Sequence, residues 1–243
     1  MTVKITTCAP QLSHKSKSKG TDPRGGVLAR PARPGLILHE AEDLRITLLA
    51  QPVPGNATYR SPRFRTTHQI ASPAAMTLAI VLDIRADVFS VVFNGLLIEI
   101  DDGHRVREHV PTAVVTTAEG FMILDVHATF GSAFMTCCIN EVAARTVGWS
   151  TDTIEETQIA TPAVLAIARD VAASHDVRFS DRDLAHAVTT VARASAGRKG
   201  PLSLTSLAAT LDSDPKRGRA KVLAMIARGE LTLRRKERVV SAA

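Results

Sequence analysis

Apolar residues follow one rhythm up to about residue 157 and another beyond it. In the first part, short β-branched runs alternate with turn signals. Val88 to Phe93, Leu96 to Ile100, Val114 with Val115, and Phe121 to Val126 have the composition of strands. Asn94-Gly95, Asp101-Asp102-Gly103 and Ala118-Glu119-Gly120 punctuate them, the first as a tight turn from one strand into the next. Two helices frame these strands. Ser72-Pro73 sets a hydroxyl N-cap before proline at the first helical position, and the helix is expected over 74–87 with Met76, Leu78, Ile80, Val81 and Ile84 mostly inward. The second runs from Ser132 to Val147, with Phe134, Cys138, Val142 and Val147 on one face; Gly148 ends it and Trp149 opens a short strand. Leu36 to Val53 has no clear period and fits a strand leading into a short helix, and Asn56 to Ile70 reads as a polar, basic connector.

From Thr161 the period becomes helical. Thr161-Pro162 starts one helix, Ser180 caps another that ends at Gly197, a short helix covers 203–211, and Lys216 to Arg228 is closed by Gly229 at C′. Glu230 to Ser241 alternates as two short strands about a basic turn. Helices followed by a two-stranded ribbon is the winged-helix layout.

At 243 residues and 45% hydrophobic, the chain can bury one good core and a small second one. Charge is unevenly spread. Residues 1–35 net +6, residues 198–243 net +7, and the body between them nets −7. Basic ends on an acidic body favour a polyanionic partner, nucleic acid above all. The Lys-, Ser-, Gly- and Pro-rich segment 1–35 has almost nothing to bury and is expected to be a disordered basic tail. It precedes an α/β domain at 36–157 and a helical winged-helix domain at 158–243. Cys8, Cys137 and Cys138 make no disulfide framework, no apolar run is long enough for a membrane span, and no secretory signal is visible, so a reduced cytoplasmic setting without membrane contact is expected. Phosphate-cradling GxxxxGK[ST], GxSxG and HExxH motifs are absent from the sequence.

Over residues 58–240 the order of motifs resembles the TnsA-like transposon endonucleases. The likeness rests on Arg60-Ser61-Pro62-Arg63 and on the helix start Ser72-Pro73-Ala74-Ala75. It continues through the Leu82 to Val88 turn, a hairpin, the Pro111-Thr112 strand start and Asp125-Val126-His127, and ends at Ala224 to Leu231. The resemblance implies an α/β restriction-endonuclease-like mixed sheet flanked by helices, then a winged helix. It also implies a bacterial mobile-element setting with a transposase or ATPase-regulator partner.

The catalytic pattern departs from the family. Its helix glutamate falls on Ala75, its Pro-Asp aspartate on Thr112 and its strand lysine on His127; Asp125 alone keeps its type. A phosphodiesterase needs several carboxylates to hold Mg²⁺ and a lysine or equivalent to activate water. Asp125 and His127 are therefore the candidate remnant of a catalytic site, and no cofactor is expected, Mg²⁺ or Mn²⁺ being required only if activity survives. A rescue would recruit Glu99, Asp101, Asp102, Glu108 or Glu141 with His104 and His109. Turn chemistry and cross-strand charge pairing account for those acids without a metal.

Nucleic-acid contacts are expected from Lys216, Arg217, Arg219 and Lys221 on or before the recognition helix. Arg234, Arg235, Lys236 and Arg238 would contribute from the wing, and Lys15, Lys17 and Lys19 from the tail. A protein-binding winged helix would carry the same basic face. The expectation is thus a catalytically degenerate protein that binds DNA, partner subunits or further copies of itself. The alternatives are a divergent metal-dependent endonuclease built on Asp125 and a winged-helix transcription regulator.

Overall fold

The computed structural model describes residues 33–128, 130–196, 202–234 and 238–241. It is α/β, with six helices among the described residues. The N-terminal part opens with two antiparallel pairs. β1 (Gly35–Glu40) pairs with β2 (Leu44–Leu49), and β3 (Ala57–Arg60) with β4 (Thr67–Ile70). Then come α1 (Pro73–Leu82), β5 (Val88–Phe93), β6 (Leu96–Asp101), β7 (Val106–His109), β8 (Ala113–Thr117), β9 (Gly120–His127), α2 (Phe130–Val147) and β10 (Ser150–Glu155).

Apart from β3 and β4, which pair only with each other, these strands form two four-stranded sheets, where the sequence led us to expect one. The first has the order β1-β2-β6-β7 and is antiparallel throughout. The second, β10-β9-β8-β5, is mixed, because β10 returns after α2 to lie parallel to β9. Asn94-Gly95 therefore does not close a hairpin. β5 ends in one sheet and β6 begins in the other, with Asn94 in the left-handed region at φ 51°. The chain crosses back between β7 and β8, through Val110-Pro111-Thr112. The two crossings are adjacent, since Asn94 N donates to Thr112 O at 3.1 Å.

Each face of the mixed sheet has its own core. Val88, Val91, Phe93, Ala113, Val115 and Leu124 pack with Ala75, Leu78, Ala79 and Leu82 of α1. On the opposite face Val114 and Ile123 meet Ile46 and Ile98 of the first sheet and Ile139, Ala143 and Ala144 of α2. The buried face of α2 is thus centred away from the expected one: Val142 and Val147 pack against the core, but Phe134 is 62% exposed. Two further expectations are corrected. Residues 36–53 contain no helix, and 57–70 form the β3–β4 hairpin rather than a connector.

The C-terminal part comprises α3 (Pro162–Ala173), α4 (Asp181–Ala196), β11 (Leu202–Ser203), α5 (Leu204–Leu211), α6 (Pro215–Ala227), β12 (Leu231–Arg234) and β13 (Arg238–Ser241). Caps fall where the sequence puts them. The Thr161 hydroxyl accepts from Val164 N, and Ser180 and Asp183 exchange bonds as a capping box. Gly229 takes φ 77° after α6. β11, which no sequence signal marks, pairs with β13 to make the order β11-β13-β12. This part has a core of its own, with Leu207, Val222, Met225 and Ile226 at its centre, and Ile84 reaches it from beyond α1. No described helix is long and apolar enough to cross a membrane.

Candidate functional site

Asp125 sits at the seam between the two sheets. Alternation along β9 turns Leu124 toward α1, and Asp125, like Ile123, toward α2 and the first sheet. There the carboxylate is 4% exposed and surrounded by donors. Thr112, immediately after the crossing at Pro111, gives Oδ1 two bonds, from its backbone N at 3.2 Å and its Oγ1 at 2.8 Å. Val126 N donates in turn to Thr112 Oγ1 at 3.0 Å, so this hydroxyl stitches β8 to β9. Oδ2 accepts from His127 Nε2 at 3.1 Å and from Asn140 Nδ2, on α2, at 3.2 Å. His109, at the end of β7, brings its Nε2 to 3.0 Å from the same oxygen. Asn140 Oδ1 is buried without a hydrogen-bond partner among the described residues.

The electrostatics follow from this enclosure. Burial alone pushes the Asp125 carboxyl up, but His109, Thr112 and His127 together outweigh it and hold the group below its ordinary value of 3.8. Asp125 is thus an ionised, internally solvated carboxylate. An ionised carboxylate offers about four lone-pair directions, and four hydrogen bonds from Thr112, His127 and Asn140 already take them up.

The arrangement is not a hydroxyl–imidazole–carboxylate relay either. Thr136 Oγ1 lies 3.0 Å from His127 Nε2, and that same nitrogen faces Asp125. A relay needs the hydroxyl and the acid on opposite ring nitrogens. Thr136 Oγ1 also donates to Ala133 O at 2.9 Å, so it presents a lone pair to His127, whose single Nε2 hydrogen is shared between Thr136 and Asp125.

Of the four positions singled out for this centre, the structure unites Asp125, His127 and Thr112. Ala75 is not part of it: it lies in the α1 core on the opposite face of the sheet. The acids proposed for a rescue are engaged elsewhere. Asp102 accepts from His104 N, Arg105 N and Arg107, Asp101 accepts from Gly103 N, and Glu141 bonds Arg145. Glu99 stands in a cross-strand row with Arg45 and Glu108. His109 was named only as one of several imidazoles, and Asn140 and Thr136 were not anticipated. A helical spacing of four from Thr136 to Asn140 was visible in the sequence, but nothing there pointed their face of α2 at β9.

The Arg60-Ser61-Pro62-Arg63 stretch proves to be a clamp on the end of α1. Ser61 Oγ and Tyr59 OH donate to the buried Asp83 carboxylate at 2.7 and 2.5 Å. Arg63 donates to the Arg85 and Val88 carbonyls, tying up the turn that follows the helix. Burial pushes the Asp83 carboxyl up, opposed by those hydroxyls and by Arg63.

In the C-terminal part the basic residues of α6 are mostly paired. Arg217 stands 3.6 Å from Asp214, and Arg219 is 2.8 Å from Asp170 of α3. Lys221 lies 3.3 Å from Asp183 of α4 and 3.2 Å from Asp212. Lys216 is exposed and, with Arg219, Asp170, Ser174 and Leu223, lines an open cleft of about 260 Å³ between α3 and α6. Arg234 and Arg238 are register partners at the end of the β12–β13 pair. Arg235, Lys236, Lys15, Lys17 and Lys19 lie outside the described residues. No protein-family model matches the chain, and no curated protein matches it in sequence.

Proposed function

We propose that this chain is a non-catalytic, TnsA-like binding protein: an endonuclease-like α/β scaffold whose acidic centre has become structural, joined to a winged helix that holds DNA. The observation that carries the proposal is the state of Asp125. A metal-dependent nuclease presents carboxylate lone pairs to Mg²⁺, which keeps several waters and takes only oxygen ligands readily. At Asp125 those lone pairs point at Thr112, His127 and Asn140. The side chains that would replace the missing acids instead bond Arg107, Arg145 and backbone amides. The ring of protein donors does for this carboxylate what a cation would otherwise do, and water activation has no place in it.

For the C-terminal part, the reading is supported by the succession α4, β11, α5, α6, β12, β13 with β11 paired to β13, the connectivity a winged helix requires. On it α6 is the recognition helix and the β12–β13 turn the wing. Cations at both would meet phosphates and give affinity without sequence choice. Within a mobile-element complex such a protein would keep DNA and partner subunits, a transposase or an ATPase regulator, in register.

One experiment reads both halves of the proposal. Full-length protein is titrated into supercoiled plasmid with Mn²⁺ present, and the same samples are scored for retarded mobility and for nicked circles. The expected result is retardation that weakens steeply with salt and no nicking above background. Nicking by the wild type that vanishes in Asp125→Asn would refute the non-catalytic reading.

A further inference from the structure

The cations of α6 occupy its first two turns, because from Val222 to Ala227 the helix is buried. Arg217, Arg219 and Lys221 are met by carboxylates from three directions: Asp170 on α3, Asp183 on α4, and Asp212 with Asp214 in the turn before α6. Four aspartates thus stand near Lys216, Arg217, Arg219 and Lys221, and these eight charges sum to zero. The coupling is felt at Lys221, whose ammonium is held above its ordinary range, chiefly by its bond to Asp212. A duplex gains affinity from cations whose counterions it can release. Cations already neutralised by aspartates give it little, and the aspartates themselves repel phosphate.

We propose that Asp170, Asp183 and Asp212 form an electrostatic lock on α6, so that duplex DNA reaches Arg219 and Lys221 only by displacing them. The inference rests on the DNA-binding reading of the C-terminal part and adds its regulation. Until the lock opens, Lys216 carries the contact. The Arg219–Asp170 pair is half-exposed, and such pairs are weak enough to exchange, so a partner that brings its own cations to Asp170 would tighten DNA binding without touching DNA.

The test uses full-length protein and a fluorescent random-sequence duplex of about 30 base pairs, with binding followed across a salt series. Asp170→Asn and Asp212→Asn keep the shape of each side chain and remove its charge. Asp183 is left alone because it also caps α4. Asp181→Asn is the control: Asp181 is exposed on α4 and has no ion pair among the described residues. The lock predicts binding about fivefold tighter for each of Asp170→Asn and Asp212→Asn, as expected for one unit charge at contact distance in a watery medium. It also predicts a salt dependence steeper by about one unit per liberated cation, with Asp181→Asn matching the wild type. Wild-type binding that neither substitution tightens, or equal tightening by Asp181→Asn, would overturn the lock and leave the DNA-binding reading standing. A duplex that binds none of the four proteins at low salt would remove both.

Discussion

Thr112, His127 and Asn140 hold Asp125 as a solvent shell would, and that enclosure has measurable consequences for the single residue. Its carboxyl is kept below 3.8, so its contribution to folding is complete above that pH and is lost as pH falls through the lower folded-state value. Asp125→Asn should therefore cost about 3 kcal/mol near neutrality, because buried donors lose an acceptor. It should also flatten the fall in stability below pH 4. Urea unfolding of both proteins from pH 3 to pH 7 checks this; an equal fall in both would show that the acid limb arises elsewhere. Part of this centre was legible in the sequence. Asp125 and His127 are two apart on a strand and must share a face, and Thr112 follows a proline at a strand start. His109, Thr136 and Asn140 were not legible as partners, because they reach Asp125 from another sheet and from a helix whose rotation no local pattern states.

At the scale of elements, what the sequence shows best is punctuation. Ser72-Pro73, Thr161-Pro162 and Ser180 begin helices where a hydroxyl can accept from the first turn, and Gly148 and Gly229 end them at positive φ. Partners of strands were much less visible. The Asn94-Gly95 signal marks a real left-handed turn, but what it turns is a crossing between sheets, decided by pairing with β8 and β2 far away in sequence. The buried face of α2 was misplaced for a related reason: its polar Asn140 is turned fully inward along with Ala143, which hydrophobic periodicity cannot anticipate. One close approach makes a sharp prediction. Gly218 lies where α6 crosses α5, and a Cβ there would stand 2.3 Å from Ala208 O. Gly218→Ala should force the helices apart at a cost of about 3 kcal/mol. Limited proteolysis should then cut within 202–234 before 44–127. Unchanged protection would mean that α5 and α6 pack less tightly than described.

For the whole molecule, two basic ends and an acidic body say more about partners than about fold. On the proposed reading, the part with its own core around Leu207, Val222 and Met225 would supply a surface for polyanions, and the part whose seam Asp125 closes would be the scaffold that positions it. Composition suggests the first, but the second needed tertiary structure, since only there do the donors around Asp125 become visible together. The most direct test of whether Asp125 is structural is Mn²⁺ titrated into the full-length protein and followed by electron paramagnetic resonance, with Asp125→Asn alongside. Non-saturating, weak association that is the same in both proteins is the predicted result. A saturable site in the wild type that disappears in Asp125→Asn would contradict the account.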